Sequence, residues 1–299
     1  ADQSDPARNQ YVFAYTVTGC GLRIAGDPLN HAALLGVSQI DAFRAELGLD
    51  AASEWDRLDP VTPAGRIAMA AGAEVNNVEP LPRPELPVPV AVGVTTGTKP
   101  ISTQETFGRL LTGLGGVDEV ARRVVTLSPD VSVSTNLGGW INKFGVFHPV
   151  TQPDYLGADR LLRWQQGPAG RHVELGLSEM NLFLALHALG LGHELHGEHL
   201  LPIGTVYDPF VCRGLDALIY ALYNSARFVV VGTPAGVTVA PEGGAHQSTS
   251  APAIGLELPG LTYAEPCFAQ TLDWLLCDGL RRLGAPDGDS LYLRLSTRP

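Results

Sequence analysis

The stretch of sequence that decides the fold is HVELGLSEMNLFLALHALG, which occupies residues 172–190. Its first residues, His172–Leu175, predict a short strand, and the residues from about Ser178 to Leu189 predict a helix. A strand followed directly by a helix is the unit from which parallel sheets are built. The stretch therefore predicts one strand-helix unit of an α/β fold.

The same order of elements recurs on both sides of this stretch. Ser102-x-x-Glu105 is a capping-box signature and predicts a helix that ends at about Leu114. The other strand and helix candidates are, in chain order, Val124–Ser128, Leu200–Thr205, about Phe210 to Tyr223, Phe228–Gly232, about 266–283 and Leu291–Leu295. Strands that alternate with helices predict a mostly parallel sheet with helices on both faces, over residues 98–299.

Residues 1–77 are poorer material for an independent core. They contain one strand candidate, Tyr11–Val17, and two helix candidates at about 36–48 and 63–74. Because one strand cannot form a sheet, we expect this segment to complete a fold begun elsewhere. Residues 78–97 carry five prolines and predict an extended, semi-rigid linker.

Composition and charge argue against several classes of protein. The chain has 299 residues, 45% of them apolar, and a formal net charge of -11 without a cluster of Lys or Arg, which argues against a nucleic-acid partner. It contains no run of 18 apolar residues and no signal peptide, so we expect no membrane partner and a cytoplasmic location. The four cysteines form no C-x-x-C pair and are expected to be buried or half-buried free thiols.

Four polar or aromatic residues are placed where sites form in parallel α/β folds, beyond the carboxyl ends of the strands. Asp130, Glu179 and Tyr207 come just after strand candidates, and His246 follows one at a longer distance. The glycines of EGGAHQS, around His246, let the backbone pass close to a ligand. Position alone thus singles out these residues.

Several blocks of this sequence resemble the transketolase and homodimeric pyruvate dehydrogenase E1 family. The strongest are residues 172–190, then 200–223 (LLPIGTVYDPFVCRGLDALIYALY), 228–248 (FVVVGTPAGVTVAPEGGAHQS) and the final LYLRLSTRP. The block AYTVTGCGLRIAGDPLNHAALLG, at 14–36, resembles the end of the family's diphosphate-binding domain. The resemblance implies that residues 98–299 form a pyrimidine-binding domain for thiamine diphosphate and that residues 1–77 are the C-terminal part of a diphosphate-binding domain.

The resemblance places the family's activating glutamate at Glu179. Such a carboxyl lies against the aminopyrimidine ring of thiamine diphosphate and drives the amino–imino shift, which lets the exocyclic nitrogen take the proton from the thiazolium C2. Glu174, five residues earlier, is the nearest competing acid. An acid in the first turn of a helix can also serve the helix dipole alone.

The resemblance also implies roles for five other residues. The rings of Tyr207 and Phe210 would stack on the pyrimidine, and His246 would face the reacting carbons of the substrate. His31, in DPLNHAALL, resembles an active-site histidine, and Asp130 resembles an acid that lines the cofactor site or the subunit contact. The simpler alternatives are core packing for the rings, solvated loops for the histidines and a helix N-cap for the aspartate.

One departure from the family concerns the diphosphate. The G-D-G motif that holds the metal and the diphosphate is not found in the sequence, and neither is the family's third domain. The sequence therefore predicts one product of a split enzyme. We expect Mg²⁺ or Ca²⁺ and the diphosphate to lie on a partner chain, with two copies of each chain in a heterotetramer.

The resemblance implies an enzyme subunit that cleaves a keto donor and passes a two-carbon unit to an acceptor. The E1-like blocks favour pyruvate as donor and a lipoyl group or an acyl carrier protein as acceptor. The alternative donor is a ketose phosphate, for which Arg213 and Arg171 are candidate phosphate ligands. A non-catalytic regulatory or scaffold subunit is the alternative from another class, although decay of function would be expected to remove at least one of the site residues.

The segment HELHGEH, residues 193–199, imitates a metal site. His193, His196 and His199 are close together, but the H-E-x-x-H pattern of zinc enzymes fails because position 197 is glycine. We therefore expect no metal ligands in this chain.

Overall fold

The computed structural model describes residues 13–76, 82–94, 97, 99–154, 162–238 and 240–299. Contacts between residues divide the chain into two units, Ala1–Glu79 and Pro80–Pro299. The predicted strand Tyr11–Val17 is wrong over residues 13–17, which form no strand, and residues 11–12 lie outside the described part. A strand needs a hydrogen-bonded neighbour, and the described part of the first unit offers none.

The first unit contains two helices, α1 (Val37–Glu46) and α2 (Pro63–Asn76), and both predicted helices are thereby confirmed. Burial is almost absent from this unit: among residues 13–75 no apolar side chain is buried. Large apolar side chains are instead open to solvent, with Tyr15 97% and Trp55 89% exposed. These residues therefore lack the buried core that would stabilise them on their own.

The second unit is built on one sheet of eight parallel strands. The strands are β1 (Val124–Ser128), β2 (Val146–Phe147), β3 (Gln166–Gly167), β4 (His172–Glu174), β5 (Leu201–Val206), β6 (Val229–Gly232), β7 (Leu261–Ala264) and β8 (Ser290–Arg294). Their order across the sheet is β3-β2-β4-β1-β5-β6-β8-β7. The predicted α/β fold with a parallel sheet is confirmed.

Helices cover both faces of this sheet. They are α3 (Thr103–Leu114), α4 (Asp118–Ala121), α5 (Gly138–Phe144), α6 (Glu179–Gly190), α7 (Gly192–His196), α8 (Leu215–Tyr223), α9 (Ala251–Glu257) and α10 (Ala269–Arg282). One core lies between the sheet and α3, α5 and α10, and the other between the sheet and α6 and α8. In β6, Val229 and Val231 point into the first core and Val230 into the second, as strands buried on both faces require. Among the described residues, none of the helices is long and apolar enough to cross a membrane.

Local sequence explains where these elements begin. Ser102 Oγ accepts a hydrogen bond from the Glu105 amide at 3.1 Å, which confirms the predicted N-cap, but the Glu105 carboxylate pairs with Arg109 instead of completing the box. The helix predicted from Phe210 begins only at Leu215, because the segment Asp208–Gly214, with Pro209 in its first turn, forms a 3₁₀ helix.

The cysteines differ from expectation. All four are free thiols, but only Cys277 is buried, whereas Cys20, Cys212 and Cys267 are exposed. Burial, together with the nearby carboxylate of Asp273, raises the pKa of the Cys277 thiol to about 12. This thiol is therefore a small apolar core group rather than a nucleophile.

A carboxylate of α10 anchors the C-terminal end of residues 82–94, and Arg83 anchors the other end through the Leu283 carbonyl and Glu194. Asp273, on α10, accepts hydrogen bonds from the amides of Val92 at 2.7 Å and Gly93 at 2.8 Å. Val88 is buried in the first core, so this part of the segment predicted as a linker packs against the sheet. The proline-rich composition makes the segment extended, and Asp273 fixes where it lies.

Replacing Asp273 with alanine should release this segment. Two partly buried amides would lose their acceptor, at a cost of roughly 1–3 kcal/mol. Amide hydrogen exchange at Val92 and Gly93 should become faster, whereas Asp278→Ala, an exposed carboxylate on the same helix, should leave it unchanged. Equal exchange in both variants would contradict the assignment.

Candidate active site

The candidate site lies at the carboxyl edge of the sheet, where β4, β1, β5 and β6 are neighbours. Glu174 ends β4, Asp130 follows β1, and Tyr207 follows β5. Because parallel strands all end at the same edge, residues far apart in sequence meet there. Glu179 is the first residue of α6 and lies on the segment that leaves this edge.

Glu179 is a largely buried carboxylate at a helix start. Its side chain is 11% exposed, and its Oε1 accepts a hydrogen bond from Arg213 Nη1 at 2.8 Å. The preceding residue, Ser178, caps the helix through the Asn181 amide, so Glu179 is not needed as the cap. Its carboxylate therefore remains available for a ligand that can replace Arg213.

Gly214 allows the 3₁₀ segment to pass close to Glu179. A Cβ atom at position 214 would lie 2.8 Å from the carbonyl oxygen of Glu179 and would also collide with the Phe183 ring. Only glycine fits this crossing. The absence of a side chain at 214 thus brings Arg213 and Phe210 to the start of α6.

Three rings form an aromatic cluster beside this carboxylate. Tyr207 and Phe210 are nearly parallel, at 11° with centroids 6.0 Å apart, and His246 lies edge-on to both at 5.8 and 5.3 Å. Tyr207 is 8% exposed. The structure therefore brings Tyr207, Phe210 and His246 together, and Arg213 links them to Glu179 because its guanidinium lies over the Phe210 ring.

The hydrogen bonding of His246 fixes its tautomer. Nδ1 lies 3.1 Å from the carbonyl oxygen of Glu242, and a carbonyl can only accept. Nδ1 must therefore carry the proton, and the neutral ring presents Nε2 as a base. The nearest carboxylate oxygen, Oε2 of Glu242, is 4.0 Å from Nε2.

Glu174, at the end of β4, accepts hydrogen bonds from the turn that contains Asp130. The Asp130 amide donates to Glu174 Oε1 at 2.8 Å, and Ser132 Oγ donates to Oε2 at 3.1 Å. Burial acts to raise the pKa of Glu174, but the hydrogen bonds from His172, Asp130 and Ser132 together outweigh it and lower this pKa below its ordinary value. Glu174 is therefore a fixed anion that holds the turn.

Asp130 itself has a left-handed backbone, with φ 65°, and an exposed side chain. It does not begin a helix, so the N-cap alternative is wrong for this residue. Its carboxylate faces outward beside the turn that Glu174 holds, and it remains a candidate for contact with a cofactor or a neighbouring chain.

Sequence analysis missed the buried network beneath the aromatic cluster. Asp208 is fully buried and accepts hydrogen bonds from Tyr292 Oη at 2.5 Å and Arg294 Nε at 2.9 Å. Burial, reinforced by the charge of Asp208, raises the pKa of Tyr292 well above its ordinary value. An arginine within the apolar strand LYLRL was the signal that could have indicated a buried partner.

Gly232 makes room for this network. A Cβ atom at position 232 would lie 2.6 Å from Tyr292 Oη and 2.8 Å from Asp208 Oδ1. Arg294 also reaches Glu265 at 2.9 Å and the Ser248 carbonyl at 3.0 Å. The network therefore ties the loops after β5 and β6 to β8.

Replacing Asp208 with asparagine should destabilise the protein by about 3 kcal/mol, because it removes one partner of a buried ion pair. Glu265→Gln removes the other, 44% exposed partner of Arg294 and should cost less than about 1 kcal/mol. Urea unfolding of both variants measures the difference, and equal losses would contradict the dominant role of Asp208.

The sequence also predicts roles for His31 and Arg171. His31 is exposed at the end of a 3₁₀ turn, Pro28–His31, in the first unit. Arg171 precedes β4, where its guanidinium donates to the Ala121 carbonyl at 2.7 Å and lies 4.4 Å from the Phe144 ring centroid. Arg171 is thus at the opposite, amino edge and cannot serve as a phosphate ligand at the site.

The histidines of HELHGEH also lie at the amino edge, before β5. Among the described residues, no group of three or more His, Cys, Asp or Glu side chains is arranged to hold a metal ion. Arg83 lies 3.4 Å from Nδ1 of His199, which is 3% exposed. Burial and then the charge of Arg83 lower the pKa of His199 to about 4.

His199 should make the protein less stable in mild acid. An unfolded histidine binds its proton near pH 6.5 and the folded one near pH 4, so between these values the unfolded state binds more protons. Stability should fall as pH drops from 6.5 to 4, by on the order of 3 kcal/mol from this group. His199→Gln should flatten the urea-unfolding profile over this range, whereas the exposed His196→Gln should not.

Comparison with known proteins gives consistent results. The model of the pyruvate dehydrogenase E1 component middle domain matches residues 87–297. The pyruvate dehydrogenase E1 component of Cupriavidus necator is 25% identical over 94% of this chain and 34% of its own length. That of Corynebacterium glutamicum is 24% identical over 93% of this chain and 33% of its own length. This chain therefore spans about a third of the length of these curated relatives.

Solved transketolases share the fold. The enzyme from Leishmania mexicana has a TM-score of 0.68 at 20% identity, over 94% of this chain and 41% of that structure. The enzyme from Campylobacter jejuni has a TM-score of 0.64 at 15% identity, over the same shares. At this identity the likeness concerns the fold alone.

Proposed function

Because this chain belongs to the pyruvate dehydrogenase E1 component middle-domain family, we propose that it is the pyrimidine-binding part of a thiamine-diphosphate-dependent two-carbon transferase. The observation that carries the proposal is the position of Glu179. Its carboxylate is 11% exposed, and the Arg213 guanidinium that pairs with it lies 3.8 Å from the centroid of the Phe210 ring, at the carboxyl edge of the sheet.

The residues at this edge fit an aminopyrimidine ring. Such a ring needs an aromatic surface for its face and a carboxyl group for one ring nitrogen. Tyr207 and Phe210 offer the surface, and Glu179, whose present partner is a 57% exposed arginine, offers the carboxyl. A water-poor position strengthens that hydrogen bond.

Bound thiamine diphosphate supplies the nucleophilic carbon and the electron sink for cleavage next to a carbonyl. Glu179 would exchange a proton with the bound pyrimidine ring, and Tyr207 would offer its ring as a packing surface. The Nε2 atom of His246, left open by the hydrogen bond that Nδ1 donates to the Glu242 carbonyl, would accept or return a proton at a substrate oxygen. His31 is proposed as a second residue that transfers a proton at a substrate oxygen.

The keto donor would be pyruvate, and the acceptor would be a lipoyl group or the thiol of an acyl carrier protein. The curated relatives named pyruvate dehydrogenase E1 component support pyruvate. A ketose phosphate remains the alternative donor, in a transketolase-type ketol or glycolyl transfer. It is favoured by the exposed cation Arg213 beside Glu179.

The active form would include a partner chain that carries the diphosphate-binding domain with Mg²⁺ or Ca²⁺, in a heterotetramer. Apolar surfaces support this proposal. The helices α6 and α8 expose large apolar side chains, namely Met180, Leu184, Ile219, Tyr220 and Tyr223, and Leu177, just before α6, is exposed as well. A helix that is apolar all round is stable in water only when its outer face is also covered.

The first unit supports the same conclusion. Its described residues 13–75 bury no apolar side chain, so the free energy that would order them must come from contacts with another surface. A diphosphate-binding domain completed by these helices would supply that surface. Glu179 would then lie at a seam between two polypeptides.

Glu179→Gln should reduce turnover by about 100-fold or more, because an amide cannot exchange the proton. The measurement is product formation from pyruvate and from ketose phosphates by this chain with its co-purified partner, followed by mass spectrometry of the carrier. Glu105→Gln is the matched control, since Glu105 is also a first-turn acid paired with an arginine. Unchanged turnover in Glu179→Gln would reject Glu179 as the activator.

The same assay distinguishes an enzyme subunit from a non-catalytic subunit. A wild-type complex that binds thiamine diphosphate but turns over no keto donor would favour a regulatory or scaffold subunit.

A further inference from the structure

We propose that Arg213 is a latch on Glu179, which occupies the pyrimidine site and must swing away before the cofactor docks. The inference rests on the proposed function and adds a competitor for the activating carboxylate. Arg213 acts through Glu179 and is a positioning residue.

The guanidinium of Arg213 makes both contacts that an aminopyrimidine needs. Nη1 donates to Glu179 Oε1 at 2.8 Å, and the guanidinium carbon lies 3.8 Å from the centroid of the Phe210 ring. A guanidinium is flat and carries in-plane N–H donors, as a protonated aminopyrimidine does. Arg213 and the cofactor ring therefore cannot hold Glu179 and Phe210 at the same time.

The exposure of Arg213 to solvent makes its contact with Glu179 reversible. The Arg213 side chain is 57% exposed, whereas Glu179 is 11% exposed. An exposed cation paired to a carboxylate is held weakly and regains water when released. Arg294 shows the contrasting case, since it is 12% exposed and is fixed to the fully buried Asp208.

Arg213 also stabilises the Glu179 carboxylate before the cofactor binds. A carboxylate that is largely removed from water is costly without a counter-charge, and Arg213 supplies one. When the ring takes its place, the carboxylate exchanges one donor for another. The cofactor then binds at the expense of the ion pair, so the ion pair lowers the apparent affinity.

The test measures thiamine diphosphate affinity, by calorimetry, in the complex of this chain with its co-purified partner. The variants are Arg213→Gln, Arg213→Lys and the control Arg281→Gln, which breaks a comparable exposed pair with Asp278 on α10. At low salt Arg213→Gln should bind about two- to fivefold more tightly than the wild type, and Arg213→Lys should fall between them, because lysine keeps the charge without the flat stacking surface.

Salt provides a readout that a merely structural role would not change. The ratio of the thiamine diphosphate affinity of Arg213→Gln to that of the wild type should approach one in about 0.5 M NaCl, where the ion pair between Arg213 and Glu179 is screened. Equal or weaker binding by Arg213→Gln at low salt, with wild-type binding intact, would overturn the latch alone. Failure of every variant and of the wild type to bind thiamine diphosphate would overturn the proposed function as well.

Discussion

The buried pair between Asp208 and Arg294 is the interaction on which the candidate site depends. Asp208 is fully buried directly after Tyr207, and its two oxygens are taken by Tyr292 and Arg294 of β8. The start of the 3₁₀ segment is therefore fixed to β8, the neighbour of β6 in the sheet, and its later residues lie against α6. A charge buried in this way must keep its partner, so the geometry of the turn is strongly constrained.

Two glutamates near this turn differ because of their partners. Glu174 receives donors from a backbone amide, a hydroxyl and an imidazole, all of which lie on well-packed segments. Glu179 receives one exposed guanidinium. The first arrangement holds structure in place, and the second leaves a largely buried carboxylate that can change partners. Burial alone would not distinguish them, whereas the number and kind of their donors do.

Apolar surface remains exposed in both units. The two cores of the sheet are buried, yet α6 and α8 expose apolar side chains, and the described residues of the first unit bury none. Apolar surface of this kind is stabilised when it is removed from water. These side chains are therefore the ones that the proposed partner chain would cover.

The sequence by itself determined the strand-helix order, the parallel sheet, and the chain positions of Glu179, Tyr207, Phe210 and His246, because periodicity and motif are local properties. It did not determine the short strands β2, β3 and β7 near the two ends of the sheet, whose few residues carry little pattern. Only the tertiary structure decided that Arg213 faces Glu179, that Arg171 lies at the other edge, and that Asp208 pairs with Arg294 across 86 positions. Contacts between residues distant in sequence arise from packing, and no local pattern records them.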